Sequence, residues 1–354
     1  MARYTVQTET GPKRKTVYAK TRKDVAEKLT KAMADRDSGL VFDSENVMLS
    51  EYMRRWLNDS VKGSVKPKTF ESYEWLVRKH IVPALGHVKM KALSPAHLQG
   101  FYRSKLEAGL SPRTVQYLHV VLHRALKQAL RWGLVPRNVA EAVDPPKPQK
   151  DEIKPLSRDE ARRLLEAAHA DRLEALYVLA IHLVLRQGAL LGLRWEDVDL
   201  EAGTLQVRRS LSVTKEGPAF TAPKTAKSRR SVKLTARAAE VLREHLQRQL
   251  AEMGDLYRDD GLIFSTTVGT PINPRNLTGR SFKPLLKRAG LPQRVRFHDL
   301  RHTAATLLLI RGVHPKLVQE LLGHATIAIT LDTYSHVLQG MGDQTAAAME
   351  DALS

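Results

Sequence analysis

Between Asp144 and Pro155 the chain reads DPPKPQKDEIKP. Each proline fixes φ and removes a backbone donor, so neither a helix nor a central strand crosses this stretch. Its charge and its near lack of apolar residues mark it as a linker. The chain to either side must therefore bury its own core. With 354 residues in all, there is length for two or three domains.

Upstream of the linker two patterns follow one another. Tyr4 to Thr8 and Lys15 to Tyr18 alternate with the β-branched and aromatic residues of strands, and Gly11-Pro12 between them predicts the turn. A helix is expected from a Thr21 cap through Val25, Ala26, Leu29 and Met33. Residues 46–146 read as nearly all helix. One is expected over Leu49 to Asn58. A second follows Lys66-Pro67-Lys68-Thr69 with Phe70, Tyr73, Leu76, Val77 and Ile81 on one face. Ser94-Pro95 and Ser111-Pro112 each supply an N-cap and a first-turn proline. The helix after Ser111 carries Val115, Leu118, Val121, Leu122, Ala125, Leu126, Ala129 and Leu130 on one face, and ends near Gly133. Downstream, Ser157 and Glu160 form a capping box. A strongly apolar helix is expected over about residues 173–185, strand-like runs over 204–213 and 230–235 flank a Lys-rich turn, and the remainder reads as helix. The fold class is thus mainly α with small β-sheets (α+β). It comprises an N-terminal β-hairpin and helix, a helical bundle, and a mixed α/β domain.

Lys and Arg outnumber Asp and Glu by 57 to 38, a formal net charge of +19. That excess is the electrostatic footprint of a nucleic-acid binder, with a membrane-surface protein as the alternative. Lys13, Arg14 and Lys15 on the hairpin, and Lys66, Lys68 and Arg113 on the bundle, are the candidate DNA contacts. There is no cysteine, hence no disulfide framework and no thiolate metal site, as suits a reducing compartment. The opening MARYTVQTETG lacks the apolar run of a secretory signal, and no run of about 18 apolar residues is present. No membrane partner and a cytoplasmic location, in the bacterial nucleoid or a host cytoplasm, are expected.

The chemistry is concentrated downstream of the linker. Arg186 sits in the apolar LVLRQGALLGLRW. It is either a phosphate clamp or the partner of a buried carboxylate such as Asp197; Arg194, beside Trp195, reads as structural. Lys224 lies on the turn PKTAKSRRSVKL, close to Lys227, Arg229 and Arg230, and a lysine there could follow a leaving oxygen as a general acid. His298 and Arg301 in HDLRH lie one helical turn apart. His302, four residues after His298, opens a rival zinc reading, but the metalloprotease pattern needs Glu where Asp299 stands. His324 follows the helix-end glycine of LLGH, and Tyr334 lies in TLDTYSHV. Tyrosine can be a covalent nucleophile, arginine a fork for phosphate oxygens, and histidine a proton donor or acceptor near neutral pH.

The order Arg, Lys, His-x-x-Arg, His, Tyr, carried by LRQGALLGLRWEDVD, PKTAKSRRSVKLT, FHDLRHTAATLLLIRGV and LVQELLGHATIAITLDTYSHV, resembles the tyrosine recombinase (phage integrase) family over the whole chain. The resemblance implies an arm-type DNA-binding domain at 1–45, a helical core-binding domain at 46–146 and a catalytic domain at 147–354. It implies Arg186 and Arg301 as the paired arginines, Lys224 as the hairpin lysine, His298 and His324 as the active-site histidines, and Tyr334 as the nucleophile. Tyr334 would displace a 5′ oxygen and hold the strand as a 3′-phosphotyrosyl ester, with no cofactor and no metal. The implied partners are double-stranded DNA at core and arm sites, three further copies of the chain in a tetramer, a DNA-bending host factor and an excision factor. Two positions depart from the family pattern. Val184 stands where a small residue, commonly Gly, is usual, and Ala189 stands where an acid is usual. They motivate one alternative to an active integrase, a weakened or inactive DNA-binding member; a second alternative, a type IB topoisomerase-like activity, rests on much the same chemistry.

Overall fold

A computed structural model describes residues 1–8, 11–19, 21–37, 47–149, 154–222, 230–254, 257–338 and 349–353. The chain divides into two compact units, Met1–Lys150 and Asp151–Ser354. The division falls inside the proline-rich stretch.

In the first unit, β1 (Ala2–Thr8) and β2 (Gly11–Val17) pair antiparallel, with Thr8 opposite Gly11 and Ala2 opposite Val17. Gly11 and Pro12, expected as the turn, are therefore strand residues. On a two-stranded ribbon a proline is tolerated where its missing N–H would face solvent. Thr21 caps α1 (Arg22–Asp37), accepting from the Asp24 N–H at 3.1 Å.

The bundle follows. α2 (Leu49–Trp56) runs on through a π turn at Leu57–Val61. α3 (Pro67–Leu76) continues through a second π turn, Val77–Ile81, into α4 (Val82–Leu85). α5 (Pro95–Glu107) starts at a Ser94 capping box closed by His97. α6 (Pro112–Arg131) starts at Ser111, whose side chain accepts from the Thr114 N–H. The predicted apolar face of α6 is buried from Val115 to Ala129, while Leu130 at its edge is exposed. With Tyr52, Met53, Trp56, Ile81, Leu98 and Phe101 it forms one core.

In the second unit α7 (Arg158–Ala168) begins at the predicted Ser157–Glu160 capping box. α8 (Glu174–His182) is apolar on all sides and lies at the centre of a second core. This helix stops three residues short of the expected end at 185, because the chain turns at Val184 to enter the short α9 (Gln187–Leu190). β3 (Val198–Asp199), β4 (Thr204–Val207) and β7 (Arg230–Lys233) form one antiparallel sheet, in the order β3-β4-β7, while β5 (Ser210–Thr214) and β6 (Gly217–Thr221) form a separate hairpin. The run expected as one strand at 204–213 is thus two strands in two sheets, broken at Arg208-Arg209. The expected strand at 230–235 is β7. Gly188 lets α9 lie directly on β5, since a Cβ there would meet the Leu211 carbonyl oxygen and the Ser210 hydroxyl at 2.7 Å each. α10 (Ala236–Glu252), α11 (Pro274–Asn276), α12 (Lys283–Arg288), α13 (Asp299–Ile310), α14 (Pro315–Leu322) and α15 (Ile327–Leu338) complete the unit. No helix among the described residues is long and apolar enough to cross a membrane.

Candidate active site

Five segments of the second unit bring the chemistry together: the α8–α9 turn, β7, α13, the end of α14 and α15. At the turn, Val184 has φ +55°. A β-branched residue is strained in this left-handed region. It is held there because its side chain is fully buried with Ala304, Ala305, Leu309, Val318, Leu322 and Tyr334. The turn sets Arg186 at the start of α9, where its carbonyl accepts from the Ala189 and Leu190 N–H groups at 2.9 and 3.0 Å. The strain and the burial of Val184 oppose each other, at about 1–3 kcal/mol and about 1.5–3 kcal/mol. Val184→Gly is therefore expected to change unfolding free energy by no more than about 2 kcal/mol. A denaturant titration showing a loss above about 3 kcal/mol would mean that the turn carries no strain.

Arg301 is 3% exposed. One of its terminal nitrogens donates to the Val184 carbonyl at 2.6 Å and the other to the Leu322 carbonyl. The guanidinium thus ties the α8–α9 turn to the end of α14. Burial, together with the neighbouring Arg186 and Arg230, lowers its pKa to about 9, so it remains a cation at neutral pH. Burial, with Arg186 second, pulls Arg230 down to about 10. Arg186 is also lowered by desolvation, although much of its surface is exposed. Three like charges placed this close constitute a site for an anion. Asp197, the other partner considered for Arg186, is bonded to the Arg194 N–H at 3.0 Å and to Arg209 at 3.1 Å. The Arg194 guanidinium lies over the Phe220 ring at 5.7 Å, which agrees with a structural role.

His298 precedes α13 without a side-chain cap hydrogen bond and is exposed, while Arg301, three residues on, is buried. Asp299, which took the place of the metalloprotease glutamate, belongs to the helix start. It accepts from Arg296 through both the backbone N–H, at 2.8 Å, and the guanidinium, at 2.7 Å. Burial pushes the Asp299 pKa up, but those hydrogen bonds and the Arg296 charge outweigh it and hold it low. Gly323 at φ +60° ends α14 as its sequence predicts. His324 follows, with Nδ1 2.9 Å from the Thr330 hydroxyl, its N–H on the Gln319 carbonyl and its carbonyl on the Gln319 amide. Tyr334 is fully buried, at a break in α15 where φ is −119° and ψ 16°. Its hydroxyl is 2.9 Å from His302 Nδ1, and the His302 ring meets the His298 ring edge-on at 5.0 Å between centroids.

The structure therefore gathers Arg186, His298, Arg301, His324 and Tyr334, and adds Arg230, His302, Gln319 and Thr330. Lys224 lies outside the described residues. Among the described residues no three His, Cys, Asp or Glu side chains converge as a metal site would need, and the Nδ1 of His302 is taken up by Tyr334.

In the first unit Arg14, Lys66, Lys68 and Arg113 are exposed; Lys68 pairs with Glu71 at 2.8 Å and Arg113 lies over Tyr117. Lys13 and Lys15 lie on β2, and their side chains are outside the described ones. A basic cleft of about 250 Å³ is lined by Trp56, Ser60, Arg124, Lys127, Gln128 and Arg131. Its residues on α6 recur at helical spacing, a signal the sequence carried.

Known proteins agree with this architecture. The Phage integrase family model matches residues 154–341, and the Phage integrase, N-terminal SAM-like domain model matches residues 48–106. A tyrosine recombinase XerC-like protein of Caldanaerobacter subterraneus subsp. tengcongensis is 34% identical, the match covering 96% of this chain and 92% of that protein. An integrase of Streptomyces ambofaciens is 31% identical over 94% and 87%. The fold is shared with the Tn1549 transposon integrase in complex with transposon right end DNA, with a TM-score of 0.73 at 22% identity, covering 87% of this chain and all of that one. It is shared too with a lambda integrase dimer bound to a core site, with a TM-score of 0.63 at 19% identity, covering 94% and 91%. These matches define the class, a tyrosine-type site-specific recombinase. The chain belongs to the phage integrase family.

Proposed function

We propose that this recombinase integrates or excises a mobile element, with Tyr334 as its nucleophile. The observation that carries the assignment is the position of Arg301. It joins the turn that presents Arg186 to the helix end that presents His324, on the same helix as the histidine touching the Tyr334 hydroxyl. A scissile phosphate at the arginine cluster would lie next to the phenol.

Arg186 and Arg301 hold the non-bridging oxygens as charge grows on them. Lys224 protonates the leaving 5′ oxygen. His298, exposed beside Arg301, steadies the phosphate, and His324, fixed by Thr330 and Gln319, donates to one of its oxygens. The new ester retains the energy of the broken bond, so the step reverses on a second DNA end without ATP. Tyr334 and Arg301 are buried whereas Arg186 and His298 are exposed, so DNA binding must uncover the buried pair.

Duplex DNA is the substrate. Residues 46–146 grip the core site through Lys66, Lys68, Arg113 and the Arg124–Lys127–Arg131 cleft, and residues 1–45, with Lys13, Arg14 and Lys15, take an arm site. Four copies act on two duplexes, aided by a DNA-bending factor and an excision factor, in a bacterial cytoplasm. In support, curated relatives are named as the ICEBs1 integrase of Bacillus subtilis and a prophage integrase of Escherichia coli, and solved neighbours hold DNA. The test mixes the full chain with two differently labelled duplexes carrying the inverted repeats that flank its gene. Covalent adduct and hybrid-length product are expected. Relaxation of a supercoiled plasmid with no joined product would overturn the assignment in favour of a topoisomerase.

A further inference from the structure

His302 has no part in the scheme above. In the sequence it is notable only as a possible metal ligand, yet it makes the one hydrogen bond to the Tyr334 hydroxyl among the described residues, at 2.9 Å. Its ring stands 5.9 Å from the phenol ring and 5.0 Å, edge-on, from the ring of His298. We propose that His302 is a catalytic residue of this site: its Nδ1 holds the Tyr334 hydroxyl and takes its proton as the phenolic oxygen attacks phosphorus. The proposal rests on Tyr334 being the nucleophile, as inferred above.

Three observations carry it. First, Tyr334 is fully buried before DNA binds, and the His302 imidazole is the side chain already in contact with its hydroxyl. Second, both partners are neutral before the reaction. Burial raises the phenol to about 12, countered in part by Arg301, whereas burial and then His298 lower His302 to about 4. With the imidazole proton on Nε2, Nδ1 is the acceptor for the phenol. Third, bound substrate changes the field of the groups facing His302. They are His298, Asp299, Arg301 and Arg296 on α13 and its approach, Tyr334 on α15, and His324 after α14. A phosphate anion seated at the arginines offsets the cationic field that depresses the imidazole.

The step balances. The bond from Tyr334 Oη to phosphorus forms, and the bond from phosphorus to the 5′ oxygen breaks. The hydroxyl proton moves to His302 Nδ1, and the leaving oxygen takes a separate proton from the general acid. On religation His302 returns its proton to the phenolate.

The experiment uses the full chain and a nicked duplex selected from a random-sequence pool by binding to it. The duplex is made both with an ordinary phosphodiester and with sulfur replacing the bridging 5′ oxygen. Sulfur leaves without protonation, so the sulfur substrate reports on the nucleophile side alone. For His302→Gln, which can still accept a hydrogen bond but cannot take a proton, single-turnover cleavage is expected to fall about 10²- to 10⁴-fold on both substrates. Its rate should climb about tenfold per pH unit between about pH 6.5 and 8.5, as hydroxide becomes the base, while the unaltered protein stays nearly flat. His302→Ala should regain at least about tenfold with added imidazole. Melting temperature and duplex binding confirm that each variant is folded, and His302→Asn replaces Gln if that variant is not. A rate within about tenfold of the unaltered protein, recovery on the sulfur substrate, or a defect with an unchanged pH profile would each overturn the proposal. If the unaltered protein itself forms no adduct, the assignment of Tyr334 fails instead.

Discussion

Tyr334→Phe leaves a folded protein that binds its duplex and forms no covalent adduct, with strand cleavage reduced by about 10⁴-fold or more. The phenol fills a closed apolar pocket with Ala304, Ala305, Leu309, Val318 and Leu322. Phenylalanine fills the same space, so no cavity opens. What is lost is one oxygen, and with it the partner of His302 Nδ1. Leaving a half-buried acceptor unpaired costs about 1–3 kcal/mol, well below what a phenylalanine-to-alanine truncation would remove. Binding and chemistry therefore separate in this variant. Denaturing gels of a nicked, labelled duplex read the adduct, and mobility shifts read the binding. A surviving adduct in Tyr334→Phe would place the nucleophile elsewhere. Loss of both adduct and binding would mean that the hydroxyl supports the fold, not the reaction.

What could be read in advance divides by distance along the chain. The caps at Thr21, Ser94, Ser111 and Ser157 involve partners three residues away, and all four are present. The glycine stop at Gly323 is equally local. Local reasoning fails where tertiary packing decides. Gly11-Pro12 looks like a turn in isolation, yet pairing with Gln7 and Thr8 draws both residues into a strand. The run at 204–213 alternates like one strand, but the chain changes sheets at Arg208-Arg209. The apolar run to Leu185 looks helical throughout, whereas the packing of Val184 against α13 and α14 holds it at a positive φ.

The same holds within the site. The order of Arg186, His298, Arg301, His324 and Tyr334 is visible as spacing, and the fold brings those five together. The anchors of Arg301 are not visible, because they are backbone carbonyls 117 and 21 residues away. The spacing of His302 pairs it with its helical neighbour His298, while its hydrogen-bond partner lies 32 residues on. The two departures from the family pattern also become distinct in kind. At 184 the unusual residue strains the backbone that sets Arg186. At 189 an alanine stands three residues after Arg186, with its N–H on the Arg186 carbonyl.

Arg301→Lys is expected to lose cleavage by about 10³- to 10⁵-fold and stability by about 1–3 kcal/mol, although it nominally keeps the charge. The guanidinium holds two carbonyls that belong to different segments, and it still has donors in its fork to offer a phosphate. A lysine amine is a single point on a flexible stem and cannot span both carbonyls, so one is left buried without a donor. The charge is also weakened. Burial and the neighbouring Arg186 and Arg230 pull Arg301 down to about 9. The same surroundings act on a lysine that starts about 2 units lower, so only about half of the amine is charged near pH 7. Arg186→Lys is the informative contrast. Arg186 is exposed at the start of α9, so stability should stay within about 0.5 kcal/mol while cleavage still falls steeply, because the bidentate grip on phosphate is gone. Denaturant melts paired with single-turnover cleavage separate the two arginines. If Arg301→Lys is as stable as the unaltered protein, the clamp between the α8–α9 turn and α14 does not carry the site. If Arg186→Lys cleaves at the unaltered rate, the phosphate is held without it.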